Sequence, residues 1–326
     1  MDFELLDKLT QTFGPSGYED GIRALIEETI VGLADEVRVD PLGSLVALRR
    51  GATGHEKLLL AAHMDEIGLM VTHVEEKGFL RFTSIGGVRA MNCVGGRASF
   101  ANGATGSIYV EYREDASRVP DLNHLYIDVG ATSRDDCPVR VGDTGTFVGP
   151  LVRQGTRLIS KAMDDRIGCY LLIEVLRRLE QPAYDVYAVF TTQEEITLSG
   201  ARTSAFRIDP DIAISLDVTA TGDLPKSLPM AVGLGQGPAV KVKDAGMIAH
   251  PRVRDMLIDA AERAGVPYQL EILRGGSTDA AAMQLVRAGV PSGCLSIPCR
   301  YVHSTAEMVD ISDVEQSIEV LLQLLQ

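Results

Sequence analysis

The chain has 326 residues, 45% of them hydrophobic and 23% charged, a length that allows a sizeable core and more than one domain. Its formal net charge of −14 argues against nucleic acid or an anionic membrane surface as a partner. The longest apolar runs are strand-sized, so no membrane span is expected.

The opening stretch MDFELLDKLTQTFG is acidic and amphipathic, without the basic-then-apolar pattern of a secretion signal. Leu5, Leu6 and Leu9 predict one helix, and Ile22, Leu25, Ile26 and Ile30 a second after the Gly-Pro-Ser-Gly turn at 14–17. Short strands are expected around Val37–Val39 and Leu45–Leu48, then a fully buried strand at 58-LLLAA-62. From 67 to 157 the texture changes to short alternating segments such as 67-IGLMVTHV-74, 79-FLRFTSI-85 and 106-GSIYVEY-112, separated by glycines and charged turns. This block predicts a small all-β barrel or sandwich.

Helices and strands alternate again after Lys161: helix 165–179, strands 186–192 and 212–216, helix 251–264, strand 268–273, helix 278–288, strand 293–297 and a last helix at 312–325. The expected fold class is α/β, a mixed sheet with helices on both faces, interrupted by the β block. The expected domains are residues 1–66 with 158–326, and an insertion at 67–157.

Chemistry gathers where the buried strands end. Strand 58–62 runs into His63-Met64-Asp65, strand 186–192 into Gln193-Glu194-Glu195, strand 212–216 into Asp217, and strand 293–297 towards His303. In open α/β sheets the ligand site lies beyond the carboxyl ends of the strands. Asp164 and Asp165, entering a helix, could join these residues. Carboxylates crowded in this way repel unless protons or cations neutralise them. Imidazoles and carboxylates without a thiolate suit a pair of Zn²⁺, Co²⁺ or Mn²⁺ ions. One aspartate of the pair would then bridge something cationic, and the other would serve the helix N-terminus or a supporting contact.

The segments 61-AAHMDEIG-68, 161-KAMDDRIG-168, 191-TTQEEI-196, 216-LDVT-219, 274-RGGSTDAAA-282 and 300-RYVHS-304, in this order, resemble the M42 metallo-aminopeptidases of the glutamyl and tetrahedral type. The resemblance spans essentially the whole chain. It implies a zinc-exopeptidase-like catalytic domain carrying a β-barrel-like insertion used in dimerisation and assembly. It also implies two divalent metal ions, Zn²⁺ above Co²⁺ or Mn²⁺, with His63 and Asp217 on one, Glu195 and His303 on the other, and Asp164 bridging. Asp65 would hydrogen-bond the His63 imidazole, and Glu194 would be the general base for a water held between the metals. Glu194 and Glu195, read as adjacent strand residues, would point to opposite sides and so take different roles.

The implied reaction is release of the N-terminal residue from short peptides with a free amine, by a cytoplasmic homo-oligomer that could be a tetrahedral dodecamer. The sequence departs from the family at 194-EEITLSGA-201, with Thr197 where glycine is usual and Ser199 where arginine is common. That puts specificity, not reaction class, at issue. A carboxypeptidase or amide deacylase could use the same paired metals. A glycoside hydrolase with paired carboxylates, or an assembly protein with a vestigial site, are more distant alternatives.

Other residues invite plainer readings. His55, His73, His124 and His250 sit in turns, an inserted strand or a helix start, outside the strand-end pattern. Ser277 or Thr278 in 275-GGSTD-279 fits a helix N-cap, with Gly275 and Gly276 permitting close backbone approach. Cys93, Cys137, Cys169, Cys294 and Cys299 are scattered and odd in number, as expected of a reducing compartment.

Overall fold

The computed structural model describes residues 1–52, 56–115 and 118–326. In chain order, helices α1 (Phe3–Gln11) and α2 (Asp20–Thr29) precede strands β1 (Glu36–Val39), β2 (Leu45–Arg49) and β3 (Lys57–His63). Strands β4 (Gly68–Val74) and β5 (Leu80–Ile85), the short helix α3 (Ala90–Cys93), β6 (Arg97–Phe100), β7 (Thr105–Val110), β8 (Leu125–Asp128) and β9 (Thr144–Phe147) follow. Then come β10 (Val152–Gln154), β11 (Arg157–Ser160), helix α4 (Met163–Arg178), β12 (Asp185–Thr191), helices α5 (Glu194–Thr197) and α6 (Ser199–Ile208), and β13 (Ile212–Thr219). The chain ends with β14 (Ala239–Lys243), α7 (Pro251–Ala264), β15 (Gln269–Ile272), α8 (Asp279–Met283), β16 (Ser292–Arg300), β17 (Glu307–Asp310) and α9 (Ile311–Leu325).

Among the described residues the large sheet is ordered β1-β2-β12-β3-β13-β16-β17-β11-β10, with β14 and β15 attached beside β16. Its centre is parallel: β12 with β3, β3 with β13, and β13 with β16. The flanking pairs are antiparallel, so the sheet is mixed. Leu58, Leu60 and Ala62 face one buried cluster, built with α1, α2, α4, α7 and α9. Leu59 and Ala61 face a second, smaller cluster that includes Ala201, Ala205 and Ile208 of α6 and Ala280 and Met283 of α8. The period-2 alternation of β3 thus places helices on both faces, and its continuous burial explains the unbroken apolar run.

Strands β4, β5, β8, β7, β6 and β9 close into a barrel with its own apolar core, in which Leu69, Phe82, Phe100, Ile108 and Phe147 are buried. A buried polar knot ties barrel to sheet. Glu66 accepts hydrogen bonds from Thr146 of β9 and from Lys161, both at 2.6 Å, and lies 3.5 Å from the Arg166 guanidinium of α4.

Several boundaries differ from the sequence reading. The helix expected at 278–288 stops at Met283, and Arg287 and Gly289 both take positive φ. Helix α6 and strands β6, β14 and β17 carry too little periodicity to be read from sequence. Asp217 lies inside β13, not beyond it. No helix among the described residues is long and apolar enough to cross a membrane. All five cysteines are free, and Cys93, Cys169, Cys294 and Cys299 are buried.

Candidate metal centre

The parallel strands deliver the functional side chains to one edge of the sheet. His63 ends β3 beside Thr191, the last residue of β12, in matched register. Asp217, near the carboxyl end of β13, pairs with Ser296 in the middle of β16. After β16 the chain turns back through Tyr301 and His303, both with positive φ, which aims the His303 ring inward. Asp164 and Asp165 occupy an irregular first turn of α4, with non-helical backbone angles and a cis peptide bond between them.

The side chains converge. Asp164 presents Oδ1 to His63 Nε2 at 2.9 Å and Oδ2 to His303 Nε2 at 3.2 Å. Glu195 Oε1 also stands 3.2 Å from His303 Nε2, and Asp217 Oδ1 is 4.0 Å from His63 Nε2. Two three-residue groups result, His63–Asp164–Asp217 and Asp164–Glu195–His303, each with ligand atoms within 4.8 Å of one another. Asp164 belongs to both. His73, His124 and His250 belong to neither; His250 instead caps α7, its Nδ1 accepting the Arg252 N–H. His55 lies outside the described residues.

Asp165 is fully buried and accepts hydrogen bonds from the backbone N–H groups of His63 and Gly168. It therefore serves both the helix start and the strand end that carries a metal-type ligand. A Cβ on Gly168 would come within 2.3 Å of its carboxylate, so this approach needs glycine.

Glu194 and Glu195 do not sit on a strand. β12 ends at Thr191, Gln193 takes positive φ, and the two glutamates open the single turn α5. Asp65 caps that turn: Oδ1 accepts the Glu194 N–H at 3.1 Å and Oδ2 the Glu195 N–H at 3.2 Å. Ser16 adds a hydroxyl donor to Oδ2 at 2.5 Å. The His63 Nδ1 lies nearer the Asp65 backbone carbonyl, at 3.2 Å, than its carboxylate, at 3.5 Å. Asp65 thus couples the imidazole to both glutamates through backbone as well as side chain. The different surroundings of Glu194 and Glu195 come from helical turn geometry, not from strand alternation.

Sequence reasoning missed Glu307. This buried carboxylate of β17 accepts the Asp164 N–H at 3.0 Å and the His303 N–H at 2.7 Å, tying the shared aspartate to the inward turn. Its spacing four residues after His303 was the available signal. Because outer partners of metal ligands typically contribute 10–100-fold to metal affinity, Glu307→Gln is expected to weaken binding at the Glu195–His303 group by about that factor. Metal titration by calorimetry checks it; unchanged affinity would reduce Glu307 to a packing residue.

Burial works against charge throughout the cluster. It pushes Asp165, Asp217 and Glu194 well above the usual carboxylate range, with neighbouring carboxylates adding to the shift. Burial and the adjacent Asp164 charge push Glu307 up to about 8. Asp164 moves the other way, because the His303 and His63 imidazoles outweigh its burial and hold it well below the usual range. Burial opposes the charge on His303 too, yet its bonds to Asp164 and Glu195 push it up to about 11. The two imidazoles therefore stand where positive charge is favoured, between paired carboxylates. Buried Glu195 Oε1 has the His303 Nε2 contact at 3.2 Å as its sole partner among the described residues. This excess of buried carboxylate over base is the donor set that divalent metal ions fit.

The family-level comparison agrees with that chemistry. The model of the M42 glutamyl aminopeptidase family matches residues 43–320. The chain belongs to the M42 peptidases. A protein of Acetivibrio thermocellus is 47% identical over 323 residues, covering 98% of this chain and 97% of its own. An aminopeptidase from the archaeon Desulfurococcus kamchatkensis superposes with a TM-score of 0.95 at 40% identity, covering 99% of this chain and 93% of that one. The TET1 peptidase of Pyrococcus horikoshii, which can assemble into a tetrahedron or a large octahedral shell, gives a TM-score of 0.89 at 31% identity, with 99% and 98% covered. This M42 chain is accordingly a peptide hydrolase whose family implies a divalent metal.

The M42 site opens into a cavity of about 650 Å³, floored by Asp164, Glu194, Glu195, Asp217 and His303. Gly275, Gly276 and Ser277 line one side, while Thr278 caps α8 by accepting the Ala280 N–H. Thr197 and Leu198 form part of the wall, and the Thr197 hydroxyl is hydrogen-bonded to that of Ser199. Of the two residues that depart from the family pattern, Thr197 therefore borders the space open to substrate and Ser199 stands behind it.

Proposed function

We propose that this M42 peptidase releases the N-terminal residue from short peptides at a pair of divalent metal ions. The supporting observation is the sharing of Asp164 between two ligand groups, one oxygen directed at each histidine. His63 and Asp217 would hold one ion, Glu195 and His303 the other, and Asp164 both. Zn²⁺ suits the nitrogen and oxygen donors best, with Co²⁺ and Mn²⁺ compatible. When bound, such a pair supplies Lewis acidity and brings water towards ionisation at neutral pH.

The chain's own residues do the remainder. Glu194 lines the cavity yet belongs to neither ligand group, so its carboxylate is left to take the proton of the attacking water and return it to the leaving amine. Its Oε2 lies 3.9 Å from His63 Nε2. Asp65 orients His63 and fixes the turn carrying Glu194 and Glu195. A free α-amine would be held among the floor carboxylates and the metal pair, which limits cleavage to the first peptide bond.

Assembly into a homo-oligomer, as in TET1 peptidase, is part of this reading, with the insertion at 67–157 as the assembly module. The barrel side exposes Met91, Tyr109, Tyr112 and Val119, apolar surface of the kind buried between subunits. Free cysteines suit a cytoplasmic setting.

The test is a rate panel of aminoacyl-anilides against their N-acetylated counterparts, before and after chelation and metal add-back. Cleavage of free-amine substrates alone, lost on chelation and restored by metal, is the expected result. Equal cleavage of blocked substrates would replace this reading with a deacylase or endopeptidase.

A further inference from the structure

The two histidines of the metal centre are held in the same way by different parts of the chain. In each, Nε2 faces Asp164 and Nδ1 faces a backbone carbonyl at 3.2 Å. For His63 that carbonyl belongs to Asp65, two residues along the same segment. For His303 it belongs to Gly87, 216 residues away, in the segment that joins barrel strands β5 and β6. The remaining bonds of the first group stay outside the barrel: His63 Nε2 meets Asp164, and Asp217 Oδ1 accepts the Val218 N–H.

Segment 86–93 is anchored in the barrel. Val88 packs against the barrel core, Cys93 is buried within it, and the Arg89 carbonyl accepts the Asn92 N–H at 2.9 Å. From that base Asn92 Nδ2 donates to the His303 carbonyl at 3.0 Å, steadying the positive-φ turn that aims the ring inward. A Cβ on Gly87 would fall 2.4 Å from His303 Nδ1 and 2.6 Å from its Cε1, and the third-nearest atom belongs to the same ring. The φ of Gly87 lies outside the left-handed region, so the ring and not the backbone demands glycine here. A Cβ on Gly86 would fall 3.0 Å from Glu195 Oε2, so the same turn also presses on the second ligand of this group.

We propose that barrel segment 86–92 is a working part of the metal centre, holding His303 for the ion at the Glu195–His303 position, while the His63–Asp217 position is built without it. This rests on the two-ion reading above. Once an ion takes the place of the proton on Nε2, the Nδ1–H is the one polar hydrogen left on the ring, and the Gly87 carbonyl is its acceptor. That bond fixes both the tautomer and the ring plane, and it makes the imidazole a better donor to a cation. Gly87 and Asn92 are positioning residues that act through His303. The two positions therefore differ in dependence: a disturbance of the barrel turn reaches one of them and spares the other.

The experiment is Zn²⁺ titration by calorimetry of the full chain in two backgrounds that each keep one position. Asp217→Asn leaves the Glu195–His303 position, and Glu195→Gln leaves the His63–Asp217 position. Added to the first background, Gly87→Ala is expected to lower Zn²⁺ affinity by about 10–100-fold, the usual effect of disturbing the partner of a metal-binding histidine. Added to the second, it should leave affinity unchanged. Asn92→Ala, which creates no clash, should show the same selectivity with a smaller fall. An equal fall in both backgrounds would mean a general loosening of the fold and would overturn the proposal, as would unchanged affinity in both. Wild-type protein that binds fewer than two ions would instead count against the two-ion reading. Melting temperature of each metal-free variant controls for folding.

Discussion

Asp164→Asn is expected to lose metal from both positions at once. Each of the other four proposed ligands belongs to a single group, whereas Asp164 faces His63 with one oxygen and His303 with the other. Asparagine keeps the size of the side chain but carries no charge. Its amide nitrogen would turn a donor towards one of the two positions, where a cation needs an acceptor. Altering even an outer partner of a ligand costs about 10–100-fold in affinity, and a shared inner ligand should exceed that at both positions. Elemental analysis after dialysis should find both positions substantially empty, with turnover lost in parallel. The fold should persist, because the backbone N–H of residue 164 still meets Glu307 and Asp165 still holds the start of α4. Retention of two ions per chain in Asp164→Asn would remove the bridge from the mechanism.

Glu194→Gln should give the opposite pattern: metal retained, turnover lost. Glu194 stands outside both ligand groups, and its backbone N–H remains bonded to Asp65 after the substitution. Glutamine preserves shape and polarity but cannot accept the water's proton at any working pH. General-base catalysis is worth about 10²–10⁴-fold, so kcat should fall by roughly that factor while KM changes little. Steady-state kinetics on Leu-anilide, paired with metal analysis, separates the two variants. A near-normal kcat in Glu194→Gln would mean that another group takes the proton.

The contrast between these variants depends on which parts of the site can be read without coordinates. Strand β3 and the His63-Met64-Asp65 segment after its apolar run are visible in the sequence, because burial on both faces forces a continuous apolar stretch and a polar residue at its end is conspicuous. Helix α6 is not visible. Its sequence SGARTSAFRI is rich in small and hydroxyl side chains, and it is held by packing of Ala201, Ala205 and Ile208 and by the Ser204 hydroxyl bonded to Asp40. The glutamate pair shows the same limit. Two adjacent carboxylates after a strand are legible as a motif, but the turn that separates their roles is set by Asp65, which is 129 residues from Glu194.

The order and type of the residues alone therefore determined the fold class, the β-rich interruption, the family, and the set of side chains with metal-binding chemistry. These follow from periodicity, apolar runs and residue type, which are properties of local sequence. Tertiary structure alone decided that Asp164 faces two histidines, that Asp165 supports the backbone, and that Glu307 ties Asp164 to the turn at His303. Each of those facts is a contact between distant segments, and its geometry exists only once the sheet, the helices and the barrel have packed together.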